Sequence, residues 1–133
     1  MNPKAFLLDS SALMALLENE AGAERVNEIL RHERCLLPWT SILEVTYVSR
    51  RERGQVYSDY RYALMKQFPV EIIWDMDEPV LVKAARFKAD YSISFADAII
   101  AAYAYQNHAI LLHKDPEFEP LGGQIDLEAL PYK

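Results

Sequence analysis

Short apolar runs alternate with stretches of helical periodicity along the whole chain, and this alternation predicts most of its elements. Residues 5–8 (AFLL), 35–37 (CLL, closed by Pro38), 70–74 (VEIIW) and 109–112 (AILL) read as strands. Apolar runs this short suit strands buried on both faces. Between them the pattern predicts helices over 11–18, 21–32, 41–52, 55–67, 78–88 and 94–106. Val26, Ile29 and Leu30 fall on one face of the second helix. Tyr57, Tyr60, Leu64 and Phe68 recur at helical spacing in the fourth, and Ile99, Ile100 and Tyr103 mark the inner side of the last. Residues 125–130 suggest a weak edge strand. Strands alternating with helices imply βαβ units: an α/β, three-layer fold with a mainly parallel central sheet and helices on both faces.

There are no repeats, low-complexity tracts or Gly/Ser linkers, and 133 residues suit one domain spanning 1–133. With 51% hydrophobic and 26% charged residues, the composition is that of an ordinary globular protein. Apolar runs such as 98–105 are far shorter than the roughly 18 residues a membrane span needs. The opening MNPKAFLLDSS is too short and too polar for a signal peptide. Cys35 is the only cysteine, so no internal disulfide can form and a reducing compartment fits. These features predict a cytoplasmic protein with no membrane association. The net charge of −6 argues against a simple nucleic-acid-binding module, which is normally basic. It does not argue against a nuclease whose carboxylates are held for cations.

In parallel α/β sheets, ligands bind beyond the carboxyl ends of the strands. Asp9 ends the first strand and Asp115 follows the fourth, while Glu44 and Asp97 fall in the first turns of helices starting near the same edge. Each acid also has a purely structural reading. Ser41-x-x-Glu44 and Ser94-x-x-Asp97 match the capping box, Asp9 suits a helix N-cap, and Asp115-Pro116 suits a turn. Taken together, four acids at one sheet edge would repel one another strongly unless cations offset them. Oxygen ligands without a His or Cys cluster select hard ions, Mg²⁺ or Mn²⁺, which support phosphodiester hydrolysis.

FLLDSSALMALL resembles the opening of PIN domains, an apolar strand ending in Asp followed by Ser/Thr-Ser-Ala. TSILEVTYV resembles their helix with the second acid, SISFADAIIAAYA is similar to their third motif, and LLHKDPEF resembles their last. The resemblance covers nearly the whole chain, with a layout nearest the VapC-type toxins of bacterial and archaeal toxin–antitoxin pairs. It implies a metal-dependent endoribonuclease with an RNA substrate, a small cognate antitoxin as partner, and a homodimer. It also implies that Asp9, Glu44, Asp97 and Asp115 form the acidic cluster, with Asp9 and Asp97 foremost among the metal ligands. Ser10, Ser11, Ser41 and Ser94 would support the site. His113 stands where the family usually has Thr or Ser, and Glu117 where a second Asp is common. Both are supporting positions, so these departures bear on metal affinity or pH response more than on the reaction class.

Arg50, Arg51 and Arg53 cluster beside Gly54, with Arg61 and Lys66 on the next helix. They read either as a solvated turn or as phosphate contacts for RNA. Tyr57, Tyr60 and Tyr62 read as packing or as a stacking surface for unpaired bases. His32 and His108 read as surface residues, Cys35 as core, and Asp75 and Asp77 as a conceivable extension of the acidic cluster. Two alternative functions remain at this level. One is a non-catalytic PIN-fold binding module. The other is a phospho-receiver-like domain using Asp9, Asp75 and Lys114, although it lacks the acidic pair that such domains carry after the first strand.

Overall fold

The computed structural model describes residues 3–132. Five parallel strands form one sheet: β1 (Phe6–Leu8), β2 (Cys35–Pro38), β3 (Glu71–Ile73), β4 (Ile110–His113) and β5 (Asp126–Ala129), in the spatial order 3-2-1-4-5. The helices are α1 (Ser10–Leu17), α2 (Ala23–His32), α3 (Trp39–Arg53), α4 (Gln55–Lys66), α5 (Glu78–Asp90) and α6 (Phe95–Gln106), followed by a 3₁₀ helix at Pro116–Gly123.

Side chains alternate across the strands and so supply two cores. Leu7, Leu36 and Leu111 face α5, α6 and the 3₁₀ helix, packing with Phe87, Ile100, Tyr103 and Phe118. Phe6, Leu8, Leu37 and Leu112 face the other way, onto Leu13, Val26, Ile29, Val45 and Met65. The sheet therefore lies between two helical layers, as the alternating pattern predicts. The run at 125–130 contributes β5, paired with β4 from Ile110↔Asp126 to His113↔Ala129. Arg25 of α2 holds the edge strand by bonding Glu128 at 2.7 and 3.0 Å.

Three local expectations change. The segment after Asp115 is a 3₁₀ helix rather than a plain turn, because its Phe118 and Leu121 are fully buried in the α5–α6 core. Helix α3 begins at Trp39 with Pro38 as its N-cap, so Ser41 is not a cap. Its buried hydroxyl instead donates to the Leu8 carbonyl at 2.8 Å, tying α3 to the end of β1. The Tyr57–Tyr60–Leu64–Phe68 stripe is not the buried face of α4; Ser58, Arg61 and Met65 are. Ser58 donates to the Thr46 carbonyl (2.8 Å), and the Arg61 guanidinium reaches Ser49 (3.1 Å), Tyr57 (3.0 Å) and Glu18 (2.8 Å). Polar groups satisfied between helices thus occupy the inner face, leaving Tyr57 half-buried against Arg61 and Tyr60 62% exposed. The turn between α3 and α4 uses Gly54 at φ +89°, a conformation that L residues with a Cβ rarely adopt.

Candidate active site

From β1 the chain runs through β2 to β3 on one side, then returns to β4 and β5 on the other. The strand order therefore reverses between β1 and β4, the place where open α/β sheets form a crevice at their carboxyl ends. Asp9 leaves β1 at that point, and Asp115 lies two residues beyond β4. A cleft of about 910 Å³ opens there, lined by Asp9, Glu44, Asp97 and Asp115 together with Glu20 and Glu117.

Each acid is held by its own element. Asp9 is the N-cap of α1: its carboxylate accepts the Ala12 amide at 2.8 Å and is contacted by the Ser11 hydroxyl. The capping and cleft-lining readings of Asp9 are both correct. Ser11 also accepts the Lys114 amide at 2.8 Å, which pins the start of α1 to the segment after β4. Ser10 is buried and lines the cleft. Glu44 projects from α3, half-buried. Ser94 caps α6 by accepting the Asp97 amide at 3.1 Å. The Asp97 carboxyl faces the cleft, hydrogen-bonded with Glu117. Asp115 accepts the Glu117 amide at 2.9 Å and so opens the 3₁₀ helix. Its own amide donates to the Nδ1 of His113, at 3.1 Å. That nitrogen therefore carries a lone pair, and His113 performs the acceptor role open to the hydroxyl usual at its position. Burial lowers the His113 pKa, which keeps the ring neutral, and the ring packs edge-on against Phe118 at 5.2 Å.

Electrostatically the cluster is unfavourable as it stands. Burial pushes the Asp97 carboxyl up to about 8, aided by the Glu117 hydrogen bond and by the charges of Asp9, Glu117 and Asp115. Burial likewise raises Asp9 to about 7, against the lowering effect of its bonds to Ala12 and Ser11. The tightest group is Asp97, Asp115 and Glu117, whose carboxylate oxygens lie within 4.8 Å of one another. An octahedral Mg²⁺ with oxygens at about 2.1 Å places opposite ligands about 4.2 Å apart. Three carboxylates grouped at close to that span, offering oxygen donors only, fit a hard cation in their chemistry, and Asp9 and Glu44 line the same cleft. Glu117 belongs to this closest group, whereas the sequence pattern suggests only a supporting position for it.

The other expected residues fall outside the cleft or at its margin. Ser41 lies beneath it, against Leu8. Arg50, Arg51 and Arg53 are exposed on α3, Arg51 packing over the Tyr47 ring at 5.2 Å. Arg61 is 2% exposed and engaged with Glu18, so it is not free for phosphate contact. Asp77 caps α5 by accepting the Val80 amide, and the Asp75 carbonyl accepts the Tyr103 hydroxyl at 2.7 Å; neither residue lines the cleft. Lys114 lines it but donates to the Ala21 carbonyl at 2.9 Å. The Asp9, Asp75 and Lys114 set of a receiver domain is thus not assembled. His32 and His108 are exposed and Cys35 is buried, as expected. Glu20, Tyr47, Phe95 and Tyr132 line the cleft without having been singled out in the sequence. They come from the α1–α2 loop, α3, α6 and the tail, and only the acidic or aromatic character of each hinted at a role.

A doubly wound parallel sheet with convergent acids at its switch point defines the class of this protein. The PIN domain profile matches residues 6–123, and the chain belongs to the PIN domain family. Among solved structures it is similar to VapBC2 from Rickettsia felis bound to a promoter DNA fragment (13% identity, 96% of this chain and 99% of that one, TM-score 0.78). It is also similar to DNA-bound VapBC from Salmonella typhimurium (19%, 96% and 98%, TM-score 0.75). A third is Mycobacterium tuberculosis VapC20, described as a sarcin-ricin loop cleaving toxin (16%, 95% and 99%, TM-score 0.75). At these identities the likeness is one of fold. No curated protein matches the sequence. Among the described residues, no helix is long and apolar enough to cross a membrane.

Proposed function

We propose that this protein is a metal-dependent endoribonuclease, one nuclease domain acting as the toxin of a type II toxin–antitoxin pair in the cytoplasm. The observation that carries the reading is the convergence of Asp9 from the start of α1, Glu44 from α3, Asp97 from α6, and Asp115 and Glu117 from the segment after β4 on one cleft. Four of them match the acidic positions of the PIN family motifs. A cluster whose buried members are driven toward protonation has little structural purpose, and perturbed carboxyls in a cleft mark functional sites.

Asp97, Asp115 and Glu117, with Asp9 and Glu44, would hold Mg²⁺ or Mn²⁺. When bound, such a cation supplies Lewis-acid activation of the phosphodiester and of the attacking water. The chain's own part is to fix the acids. The α1 and α6 caps orient the backbone of Asp9 and Asp97, and Ser11 presents a hydroxyl to Asp9. His113 holds the Asp115 amide. Asp97 and Asp9 retain protons near neutral pH until a cation displaces them, so binding and proton release are coupled. Arg50 and Arg51, exposed on α3, would contact RNA phosphates.

The VapBC structures above are complexes, and this chain is read in the same way as binding a small antitoxin. Exposed Leu43, Tyr47, Val56 and Tyr60 on α3 and α4 supply apolar surface for that partner or for a homodimer. The decisive experiment incubates purified protein with RNA, with and without Mg²⁺ or Mn²⁺. Internal cleavage that needs the metal and disappears in Asp97→Asn is expected. Persistence of all cleavage in that variant would reject the assignment.

A further inference from the structure

Phe95 is the most exposed aromatic residue among those described, at 75%, and it lines the acidic cleft. It is the first residue of α6, immediately after the Ser94 cap and two positions before Asp97. The capping bond runs from the Asp97 amide to Ser94, so the helix start does not require an aromatic side chain at Phe95. Its ring belongs to neither core cluster. Leaving a phenylalanine in water forgoes the stabilisation that burying its ring would bring. Another wall of the cleft is the α3 face carrying Glu44, Tyr47, Val48 and Arg51; the first three line the cleft, and the Arg51 guanidinium covers the Tyr47 ring. Arg51 lies about 10 Å along the helix axis from Glu44. A phosphate chain leaving the acids along α3 would therefore meet a cation next. An aromatic face, acids suited to phosphodiester chemistry and a flanking guanidinium together match a nucleic acid strand better than a protein segment.

We propose that Phe95 is a specificity-determining residue whose ring stacks on the base beside the scissile phosphate. The inference rests on the ribonuclease reading. Aromatic stacking is tolerant of base identity but requires a base that is unstacked from its neighbours. Phe95 would thus select where a strand can be cut without reading its sequence through hydrogen bonds.

The test uses a synthetic single-stranded RNA of mixed sequence. Its cut position is mapped with the wild-type protein, and the RNA is then remade with an abasic residue on either side of the cut. Phe95→Ala is expected to lower kcat/KM about tenfold or more, chiefly through KM. Phe95→Trp should keep the activity, whereas Phe95→Leu, apolar but without a ring face, should behave like Phe95→Ala. Melting temperatures of all three should match the wild type, since the ring is exposed. On the abasic RNA the difference between wild type and Phe95→Ala should vanish. A Phe95→Leu variant as active as wild type, or a Phe95→Ala loss that persists on both abasic RNAs, overturns the inference. Unchanged cleavage by every variant also overturns it and leaves the ring to a protein partner. If the wild type shows no metal-dependent cleavage of any RNA, the ribonuclease reading falls first, a result distinct from all of these.

Discussion

The Ser11 hydroxyl lies 2.8 and 2.7 Å from the two carboxylate oxygens of Asp9 while accepting the Lys114 amide at 2.8 Å. The hydroxyl has one proton, so Lys114 supplies the bond that leaves it directed at Asp9. One side chain thus links the start of α1, the first acid and the segment carrying Asp115. Ser11→Ala should leave the Lys114 amide without this partner and cost about 1–3 kcal/mol. It should also weaken Mn²⁺ binding at neutral pH, because Asp9 loses a bond that favours its charged form. Ser11→Thr should restore both. Denaturant unfolding and calorimetric metal titration check this; an alanine variant with wild-type values in both would remove Ser11 from the site.

Raised carboxyl pKa values make the metal-free protein sensitive to pH in a defined sense. Asp97 titrates near 8 and Asp9 near 7 in the folded state, against 3.8 as the ordinary value. The folded state therefore holds protons that the unfolded chain has released. Stability is fully present below about pH 4 as far as these groups are concerned, and is lost as pH rises through 7 to 8. Each contributes a slope of up to about 1.4 kcal/mol per pH unit. The melting temperature of metal-free protein should fall between pH 5 and 8 by these groups' contribution. Asp97→Asn should flatten the fall, melt higher than wild type at about pH 8, and lose cleavage. A steeper fall in the variant than in the wild type would contradict this sign.

Metal should act in the opposite direction. Binding to the folded state stabilises by mass action, and the same carboxyls must release protons to bind. Mn²⁺ affinity should therefore rise from pH 6 to 8, and its binding heat should depend on the buffer's own ionisation enthalpy. A pH-independent affinity with no proton release would show that Asp9 and Asp97 are not ligands.

Arg61 should prove structural. Its buried guanidinium joins α1, α3 and α4 through Glu18, Ser49 and Tyr57. Arg61→Ala should destabilise by about 3 kcal/mol, the low end for breaking a buried pair, because Glu18 keeps a contact with Arg53. Equilibrium unfolding measures the loss. A variant as stable as wild type but weak in RNA binding would return Arg61 to the phosphate-contacting set.

The exposed arginines should behave differently. Arg51→Gln should leave the melting temperature unchanged, weaken RNA binding, and reduce the dependence of log affinity on log salt by about 0.7, the single-strand value for one phosphate contact. Fluorescence anisotropy over a salt series provides the slope. An unchanged slope would place Arg51 outside the RNA path.

By itself the sequence determined the elements, the layer architecture and the acids at the sheet edge. Helical and strand periodicities are local properties that burial on two faces imposes on residues such as Leu7, Leu8, Ile99 and Ile100. Asp9, Asp97 and Asp115 stood out because each lies at or next to an element boundary, where a parallel sheet exposes its carboxyl ends. Glu44, expected in a first turn, lies in the second turn of α3 because that helix already begins at Trp39. Tertiary structure alone decided what depends on how elements rotate against one another. Arg61 replaced the tyrosines on the inner face of α4 because Glu18 and Ser49, distant in sequence, satisfy its guanidinium. Ser41 became a tie to Leu8 once Pro38 had begun α3. Glu117 joined Asp97 and Asp115 because burial of Phe118 and Leu121 coils the segment after Asp115 into a 3₁₀ helix. Such choices rest on partners far along the chain, and periodicity carries no record of them.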